Sequence, residues 1–368
     1  MRKVIISILA LTFAIHLHCQ SPIPVRLGIA GLSHSHVQPL LRNMKSPYFE
    51  IVGIYETNSE MASRYAKTYK FDPSLVYSSL EEMLDKTKPE GVLTFTSIYD
   101  HLKVVEACAP RGIDVMVEKP LAVSTKHSLA MKKLVDKYNI LLLTNYETTW
   151  YPSNHRMFEM VAGKEAGDIR KIMVFDGHKG PREINVNPEF LEWLTDPVLN
   201  GGGAVIDFGC YGADLITWIL NGEKPESVYA VLKQYKPEIY PRVDDDATII
   251  LSYPSLTGII QASWNWPFNR KDIHVYGSTG YIFSDDAQNV RYRFSEKAPE
   301  SAIKLPLRDA PFNDPFTFFS AAIRGSIKIP ENDLSSLKTN LTVVEILEAS
   351  IESSKTGKPV KIKVKKDN

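Results

Sequence analysis

Two short stretches of the sequence carry side chains that could do chemistry together. The first is Glu118-Lys119-Pro120, where an apolar, β-prone run ending at Val117 meets a charged pair. Pro120 lacks a backbone N–H and disfavours helical backbone at the residue before it, so Lys119 is predicted to stand at a strand end. In an open parallel sheet the ligand crevice lies outside the carboxyl ends of the strands, so this cation would point at the ligand. The alternative is a surface lysine at an ordinary strand exit.

The second stretch is Gly201 to Leu215, in which three glycines precede a helical pattern. Asp207, Tyr211 and Asp214 are spaced i, i+4 and i+7, so one continuous helix would place them on the same face. The alternative is a helix cap at Asp207, a core tyrosine and a solvated Asp214. A phenol has an ordinary pKa of about 10 and needs a neighbouring cation to act as a base near neutrality, for which Lys119 is the candidate.

A glycine-containing turn follows the first predicted strand, which begins at Val25. A dinucleotide fingerprint, Gly-x-Gly-x-x-Gly, would need glycine at positions 31, 33 and 36, and only Gly31 is present. Ser33 is small enough to let a pyrophosphate approach, and its hydroxyl could donate to it, whereas His36 should loosen helix packing. We therefore interpret this turn, including His34, as a candidate dinucleotide site with a weak fingerprint.

The second predicted strand, residues 51–55, ends in Glu56. A carboxylate at this place accepts hydrogen bonds from ribose hydroxyls and repels a 2′-phosphate. No arginine follows at Thr57 or Asn58, so the sequence favours NAD over NADP. The alternative is a solvated acid at a strand end.

Alternation of strand and helix patterns continues to about residue 144, which predicts a Rossmann-like domain over residues 24–144. Beyond it, alternating stretches such as 247–253 and 257–264 predict a second domain over residues 145–368, of α+β type with a large, mostly antiparallel open sheet. Residues 285–312 read as an edge or loop. The fold class is α/β with two domains.

Several motifs occur in an order and spacing that resembles the Gfo/Idh/MocA oxidoreductase family. They are the Gly31 turn, Glu56, Thr96-x-x-x-x-His101 and Glu118-Lys119-Pro120-Leu121. The resemblance implies that these residues contact NAD. It also implies that the lysine sits beside the nicotinamide and contacts the substrate hydroxyl, and that the chain forms a homo-oligomer through its open sheet.

The stretch from Gly201 resembles the family's Gly-Gly-Gly-x-x-x-Asp-x-Gly-x-His-x-x-Asp helix, with Tyr211 in place of the histidine. Some members carry tyrosine there and use it for proton transfer, so the resemblance implies catalytic roles for Lys119, Tyr211, Asp207 and Asp214. Three residues of the predicted second domain, His178, Lys179 and Arg182, could face a polar substrate. The alternative is that they belong to a solvated basic loop.

Composition limits the partners. The chain has 368 residues, 44% of them apolar, and Lys plus Arg balance Asp plus Glu at 43 each, so no net field favours nucleic acid or an anionic membrane. Asp244-Asp245-Asp246 has no partner spacing for a metal site and is interpreted as a solvated strand start.

The N-terminus is typical of an exported protein. Arg2 and Lys3 precede an apolar run that is too short to span a bilayer, so residues 1–20 are predicted to be a signal peptide and the protein to be periplasmic, without a transmembrane span. Cys19 allows a lipoprotein anchor, but His18 before it is not the small residue that such processing prefers. The other two cysteines, Cys108 and Cys210, form no disulfide framework or metal motif.

Three functional hypotheses follow. The leading one is an NAD(H)-dependent oxidoreductase that acts on a secondary hydroxyl of a sugar or polyol, with tightly held cofactor because an exported enzyme cannot draw on a cytosolic pool. The second is an NAD-dependent glycosidase that oxidises a hydroxyl, eliminates the glycosidic substituent and reduces again. The third is a sugar-binding or sensing module with a degenerate cofactor turn, motivated by Ser33 and His36.

Overall fold

The computed structural model describes residues 23–363, most of which belong to two β-sheets and their helices. The predicted signal peptide, with Cys19, lies outside the described residues. Within residues 23–363, no helix has both the length and the apolar character needed to cross a membrane.

The first sheet contains six parallel strands: β1 (Val25–Ala30), β2 (Phe49–Tyr55), β3 (Val76–Tyr77), β4 (Gly91–Thr94), β5 (Asp114–Glu118) and β6 (Leu142–Asn145). Five helices connect them: α1 (Val37–Arg42), α2 (Ser59–Tyr69), α3 (Leu80–Thr87), α4 (His101–Cys108) and α5 (Thr125–Tyr138). The strand order is β3-β2-β1-β4-β5-β6, so the direction of winding reverses between β1 and β4. Such sheets bind ligands at this reversal, and the Rossmann fold predicted from the sequence is confirmed.

The central strands are apolar because both of their faces are covered. In β5, Val115, Met116 and Val117 are each at most 2% exposed, and β4 is buried along its whole length. Near-continuous apolar runs of this kind are typical of parallel strands with helices on both sides. The first polar side chains after these runs therefore appear at the carboxyl edge of the sheet.

The second sheet contains nine strands: β7 (Ile169–Gly177), β8 (Ser227–Lys233), β9 (Asp246–Ser252), β10 (Thr257–Ser263), β11 (Arg270–Gly277), β12 (Tyr281–Ser284), β13 (Asn289–Arg293), β14 (Ser301–Lys304) and β15 (Val360–Lys361). The helices of this part of the chain are α6 (Pro152–Ala162), α7 (Pro188–Leu194), α8 (Ala204–Asp207), α9 (Gly209–Ile219), α10 (Pro315–Ile323) and α11 (Leu337–Thr356), of which α10 packs against β2 of the first sheet. The order is β14-β13-β12-β11-β7-β10-β9-β8-β15, and only the β7–β10 pair is parallel. The predicted, mostly antiparallel sheet is confirmed.

The two faces of this sheet differ. Helices α6, α9 and α11 pack against one face and bury its side chains, among them Ile249 and Ile260. On the opposite face, Ile250 is 37% exposed, and Phe175 and Phe283 pack against the ring of His274 without a covering helix. This second face is the open face of the sheet.

Two loop predictions can be compared with the structure. Residues 285–312, predicted as an edge or loop, contain β13 and β14 at one edge of the sheet. The solvated strand start predicted at Asp244-Asp245-Asp246 is wrong for the first two residues. The Asp244 carboxylate accepts hydrogen bonds from the backbone N–H groups that begin α8, and Asp245 accepts from two backbone N–H groups of a turn.

Candidate active site

Lys119 follows the last residue of β5, as the sequence predicts, and the Lys119–Pro120 peptide bond is cis. Its side chain is only 5% exposed. The ammonium donates to the Asp207 carboxylate, with 2.5 Å between Nζ and Oδ1, and to the Asp207 backbone carbonyl at 2.9 Å. Asp207 therefore accepts hydrogen bonds from two of the three N–H donors of Lys119.

The ion pair between Lys119 and Asp207 is charged in both partners. Burial alone would raise the pKa of Asp207, but Lys119 and the indole N–H of Trp264, which is 2.9 Å from Oδ2, bring it below its usual value. Burial alone would lower the pKa of Lys119, but Asp207 raises it. Each charge thus compensates the desolvation of the other, as a buried pair requires.

The helix predicted from Ala204 to Leu220 is broken at Phe208. The Tyr211 N–H donates to the carbonyl of Phe208 rather than to that of Asp207, so the Asp207 carbonyl is left free to accept from Lys119. This break separates the aspartates, so the prediction that Asp207, Tyr211 and Asp214 share one helical face is wrong. Asp214 is fully buried, and its carboxylate has no hydrogen-bond partner among the described residues. It also does not line the cavity that opens beside Lys119 and Tyr211.

Tyr211 lies beside the ion pair, with the ring centroid 5.1 Å from the Lys119 ammonium and 4.9 Å from that of Lys271. We expected Lys119 to lower the pKa of this phenol. The pKa is instead well above its usual value because the residue is buried and because Glu147 and Asp176 are among its negative neighbours. The phenol is therefore protonated across the neutral range, and its hydroxyl makes no hydrogen bond to any described residue.

A cavity of about 590 Å³ opens beside Lys119, Asp207 and Tyr211. We call it the first cavity. Its lining also includes the two turn histidines, His34 and His36, and aliphatic residues near α7. Further aromatic and polar side chains of the lining are Glu147, Tyr151, His178, Phe190, Arg270, Lys271, Asp272, Asp285 and Asp286. Its volume is in the range of small-molecule sites.

The turn histidines connect the first cavity to the end of β5. Nδ1 of His36 is 2.9 Å from Oε2 of Glu118, and Asn145 donates to the other carboxylate oxygen at 2.8 Å. Potential ligand atoms of His34, His36 and Glu118 lie within 4.8 Å of one another, a spacing that a metal ion can bridge. Hydrogen bonds within the group already account for this spacing, since Nδ1 of His34 accepts from the His36 N–H.

The predicted substrate residues 178, 179 and 182 separate in the structure. His178 lines the first cavity, and burial lowers its pKa. Lys179 and Arg182 do not line it, although Pro181 between them does. His101 does not line the first cavity either. It is fully buried behind the loop that carries Lys119, with Nδ1 3.1 Å from the Leu121 carbonyl oxygen.

A second cavity, of about 470 Å³, lies over the carboxyl ends of β1, β2 and β4. Gly31, Ser33, Glu56 and Thr96 line it, as the sequence predicts for a dinucleotide site. At Gly31 the φ angle is +83° and an added Cβ would stand 2.9 Å from the Thr96 nitrogen, so the turn has to stay free of side chains here. A bare backbone of this kind allows a phosphate to approach closely.

The charges of the second cavity fit NAD better than NADP. Glu56 accepts from the Leu32 and Asn58 N–H groups, which orients its carboxylate at the end of β2. The lining contains one lysine, Lys103, and four acidic side chains: Glu56, Asp100, Glu189 and Glu192. A ribose hydroxyl can donate to such carboxylates, whereas a 2′-phosphate would be repelled.

Helix α7 covers the turn between the two cavities, and the sequence patterns did not reveal it. The Trp193 indole N–H donates to the Ser33 hydroxyl at 3.0 Å, and the Asn187 side chain bonds both Ser33 and Ser35. Arg64 of α2 donates to Glu189 at 2.6 Å. Pro188 at the first position and Glu189 in the first turn were signals for this helix start.

Comparison with family models matches both halves of the chain. Residues 25–146 match an oxidoreductase family with an NAD-binding Rossmann fold, and residues 155–283 match the GFO/IDH/MocA C-terminal domain. The chain is 27% identical over 242 residues to a trans-1,2-dihydrobenzene-1,2-diol dehydrogenase of Sus scrofa, which covers 65% of this chain and 67% of that protein. For the enzyme of the same name from Xenopus laevis the identity is 29%, over 63% of this chain and 66% of that protein.

Solved structures share the fold at lower identity. An aldose-aldose oxidoreductase from Caulobacter crescentus, crystallised with glycerol, superposes with a TM-score of 0.77 at 20% identity, over 92% of this chain and 100% of that chain. An inositol dehydrogenase homolog from Azotobacter vinelandii, crystallised with NAD+, gives a TM-score of 0.80 at 16% identity, over 93% and 98% of the two chains.

Proposed function

Because this chain belongs to the GFO/IDH/MocA family of oxidoreductases, which have an NAD-binding Rossmann fold, we propose that it oxidises a secondary hydroxyl of a sugar or polyol and reduces the corresponding ketone, with tightly held NAD(H). The observation that carries the proposal is the buried pair of Lys119 and Asp207 beside Tyr211, at the wall of a cavity that adjoins the dinucleotide turn. The relatives named above are dehydrogenases or oxidoreductases of hydroxyl-bearing compounds, which agrees with this reaction class.

NAD, when bound, supplies the hydride chemistry. The second cavity offers the bare turn at Gly31 for the phosphates and Glu56 for the ribose hydroxyls. Lys119 keeps one N–H that Asp207 does not use, and we assign it to the substrate oxygen. Tyr211 is the proton donor to that oxygen when a ketone is reduced and the acceptor when an alcohol is oxidised. Asp207 positions Lys119, and the role predicted for Asp214 is not supported by its place in the fold.

The direct test uses the protein as purified. Mass spectrometry of the molecules released on denaturation should detect NAD or NADH, and adding sugars and polyols should change the absorbance of the reduced cofactor. Analysis of the products distinguishes the oxidoreductase from the glycosidase, because a ketosugar indicates net oxidation, whereas a free sugar with unchanged cofactor indicates hydrolysis. Absence of bound nicotinamide, together with no binding by calorimetry, would contradict the proposal.

We expect α7 to slow the release of the cofactor, because it covers the turn that the dinucleotide follows. Removing its ion pair through Arg64→Ala should raise the dissociation rate of NADH about two- to fivefold, the range of an exposed pair. Trp193→Phe, which removes the bond to Ser33, should raise it by about tenfold. Stopped-flow fluorescence measures both rates. Arg156→Ala is the matched control, since it removes an exposed pair with Glu159 on α6.

The open face of the nine-stranded sheet supports the predicted homo-oligomer. Apolar side chains without a covering helix favour association, and Ile250 and Phe283 lie on this face. Ile250→Arg should therefore shift the protein to monomers in light scattering after size-exclusion chromatography. The control Lys70→Glu changes a charge on α2's C-terminal side and should leave the mass unchanged. A monomeric wild-type protein at micromolar concentration would contradict the proposal.

A further inference from the structure

The charged residues of the first cavity are arranged in pairs. Three cations line it, and each one is bonded to a carboxylate of the same lining: Lys119 to Asp207, Lys271 to Glu147, and Arg270 to Asp272. The last pair is bidentate, with Nε and Nη2 of Arg270 at 2.9 and 2.8 Å from the two oxygens of Asp272.

The lining contains two further carboxylates. Asp285 is held by Arg291, at 2.6 and 2.8 Å, and Arg291 itself does not line the cavity. The oxygens of Asp286 accept from the N–H groups of Gln288 and Asn289 and from the Asn289 side chain. Asp286 has no cationic partner within salt-bridge distance among residues 23–363, so it is a carboxylate at the cavity that is not part of an ion pair.

The histidines do not reverse this balance. Burial lowers the pKa values of His34 and His178, so both rings are neutral near pH 7. His36 faces Glu118, whose carboxylate is 2.9 Å from its Nδ1. Every positive group of the first cavity thus has a negative partner, and the carboxylates are in excess.

This arrangement matches one class of ligand. A hydroxyl group both donates and accepts, so a polyol can bond to the unused N–H groups of a paired cation and to the oxygens of a paired carboxylate. A carboxylate or phosphate needs a cation whose charge is free, and it would be repelled by Asp286 and by the paired acids. The geometry points to a substrate without negative charge: a neutral or amine-bearing sugar or polyol, with sugar acids and sugar phosphates rejected.

This inference rests on the proposed function, because it names the substrate class of that reaction. The closest matched probes are a hexuronate and its methyl ester, which differ in charge at one position and little in size. The test measures kcat/KM of the holoenzyme as the second-order rate constant for reduction of the bound NAD in a single turnover, followed by the absorbance of the reduced cofactor. The substrates are the neutral hexose, the uronate, its methyl ester and the hexose 6-phosphate, in the gluco, galacto and manno series.

In the active series, the neutral hexose and the methyl ester should exceed the uronate and the phosphate by about tenfold or more, and the difference should shrink as salt is added. A uronate or phosphate that is used as well as its neutral counterpart overturns the inference and leaves the proposed function standing. If no compound of any series reacts or binds by calorimetry, and no polyol does so either, the proposed function fails, and the inference fails with it.

Two variants test the charges directly. Glu147→Gln frees Lys271 and should raise the uronate-to-ester ratio of kcat/KM about tenfold, and Asp286→Asn should raise it in the same direction without breaking an ion pair. The matched control is Glu159→Gln, which removes one of the two acidic partners of Arg156 on α6, outside the cavity, and should leave the ratio unchanged. An unchanged ratio in both cavity variants overturns the inference even if Glu147→Gln lowers overall activity.

Discussion

Replacing Lys119 with methionine should lower kcat/KM of the holoenzyme by about a hundred- to a thousandfold, in the range of losing a preorganised hydrogen-bond donor to the reacting oxygen. The substitution removes the donor that we assign to the substrate oxygen. It also leaves Asp207 as an unpaired buried carboxylate, which is expected to destabilise the fold by about 3–5 kcal/mol. Activity and thermal unfolding therefore have to be measured on the same samples.

The double variant Lys119→Met with Asp207→Asn separates the two effects. It removes both charges, so the free energy of unfolding should return most of the way to that of the wild type, while activity stays low. Cofactor retention, followed by the absorbance of released NADH, should be nearly unchanged if the lysine acts on the substrate oxygen. Recovery of activity in the double variant would contradict a direct role of Lys119.

The second large effect is expected at Tyr211. Because burial and neighbouring carboxylates raise the pKa of this phenol above its usual value, the protonated form dominates at neutral pH. Reduction of a ketone needs the protonated form and should be nearly independent of pH from 6 to 9. Oxidation of an alcohol needs the deprotonated form, so its single-turnover rate should rise about tenfold per pH unit over the same range.

Tyr211→Phe should lower both rates by about a hundredfold or more and should abolish the pH dependence of the oxidation. Rapid-mixing absorbance of the reduced cofactor measures both directions. Tyr146→Phe is the matched control: its ring is 5.5 Å from that of Tyr211, but its hydroxyl bonds Asn340 and does not line the cavity. A pH-dependent oxidation that survives in Tyr211→Phe would assign the proton transfer to another group.

Short-range patterns were sufficient for the parts of the site that stand at strand ends. Lys119 and Glu56 each follow an apolar strand of a parallel sheet, and the position of a strand end in such a sheet determines which way the side chain points. Prediction from helical spacing failed at Asp214. An interruption of one residue at Phe208 divides the predicted helix into α8 and α9, and helix propensity does not predict such an interruption.

The pairs that fill the first cavity could not be predicted for a different reason. Glu147 and Lys271 are 124 residues apart and lie in segments with no shared pattern, so only the folded chain brings them together. Helix α7 was missed because its seven residues fall below the length at which helical periodicity is distinctive. Its apolar residues, including Phe190 and Trp193, pack on the turn of the other sheet.

The break at Phe208 has one more consequence, which concerns how mutations would affect the site. One of the two hydrogen bonds that Lys119 donates goes to the Asp207 backbone carbonyl, a group that every amino acid carries. Substitution of the aspartate therefore leaves an anchor in place, whereas a change that let the helix run on would recruit this carbonyl into the α-helical ladder. The position of the Lys119 ammonium depends on the path of the main chain. A new side chain at position 207 should therefore displace the ammonium less than a mutation that made the helix continuous.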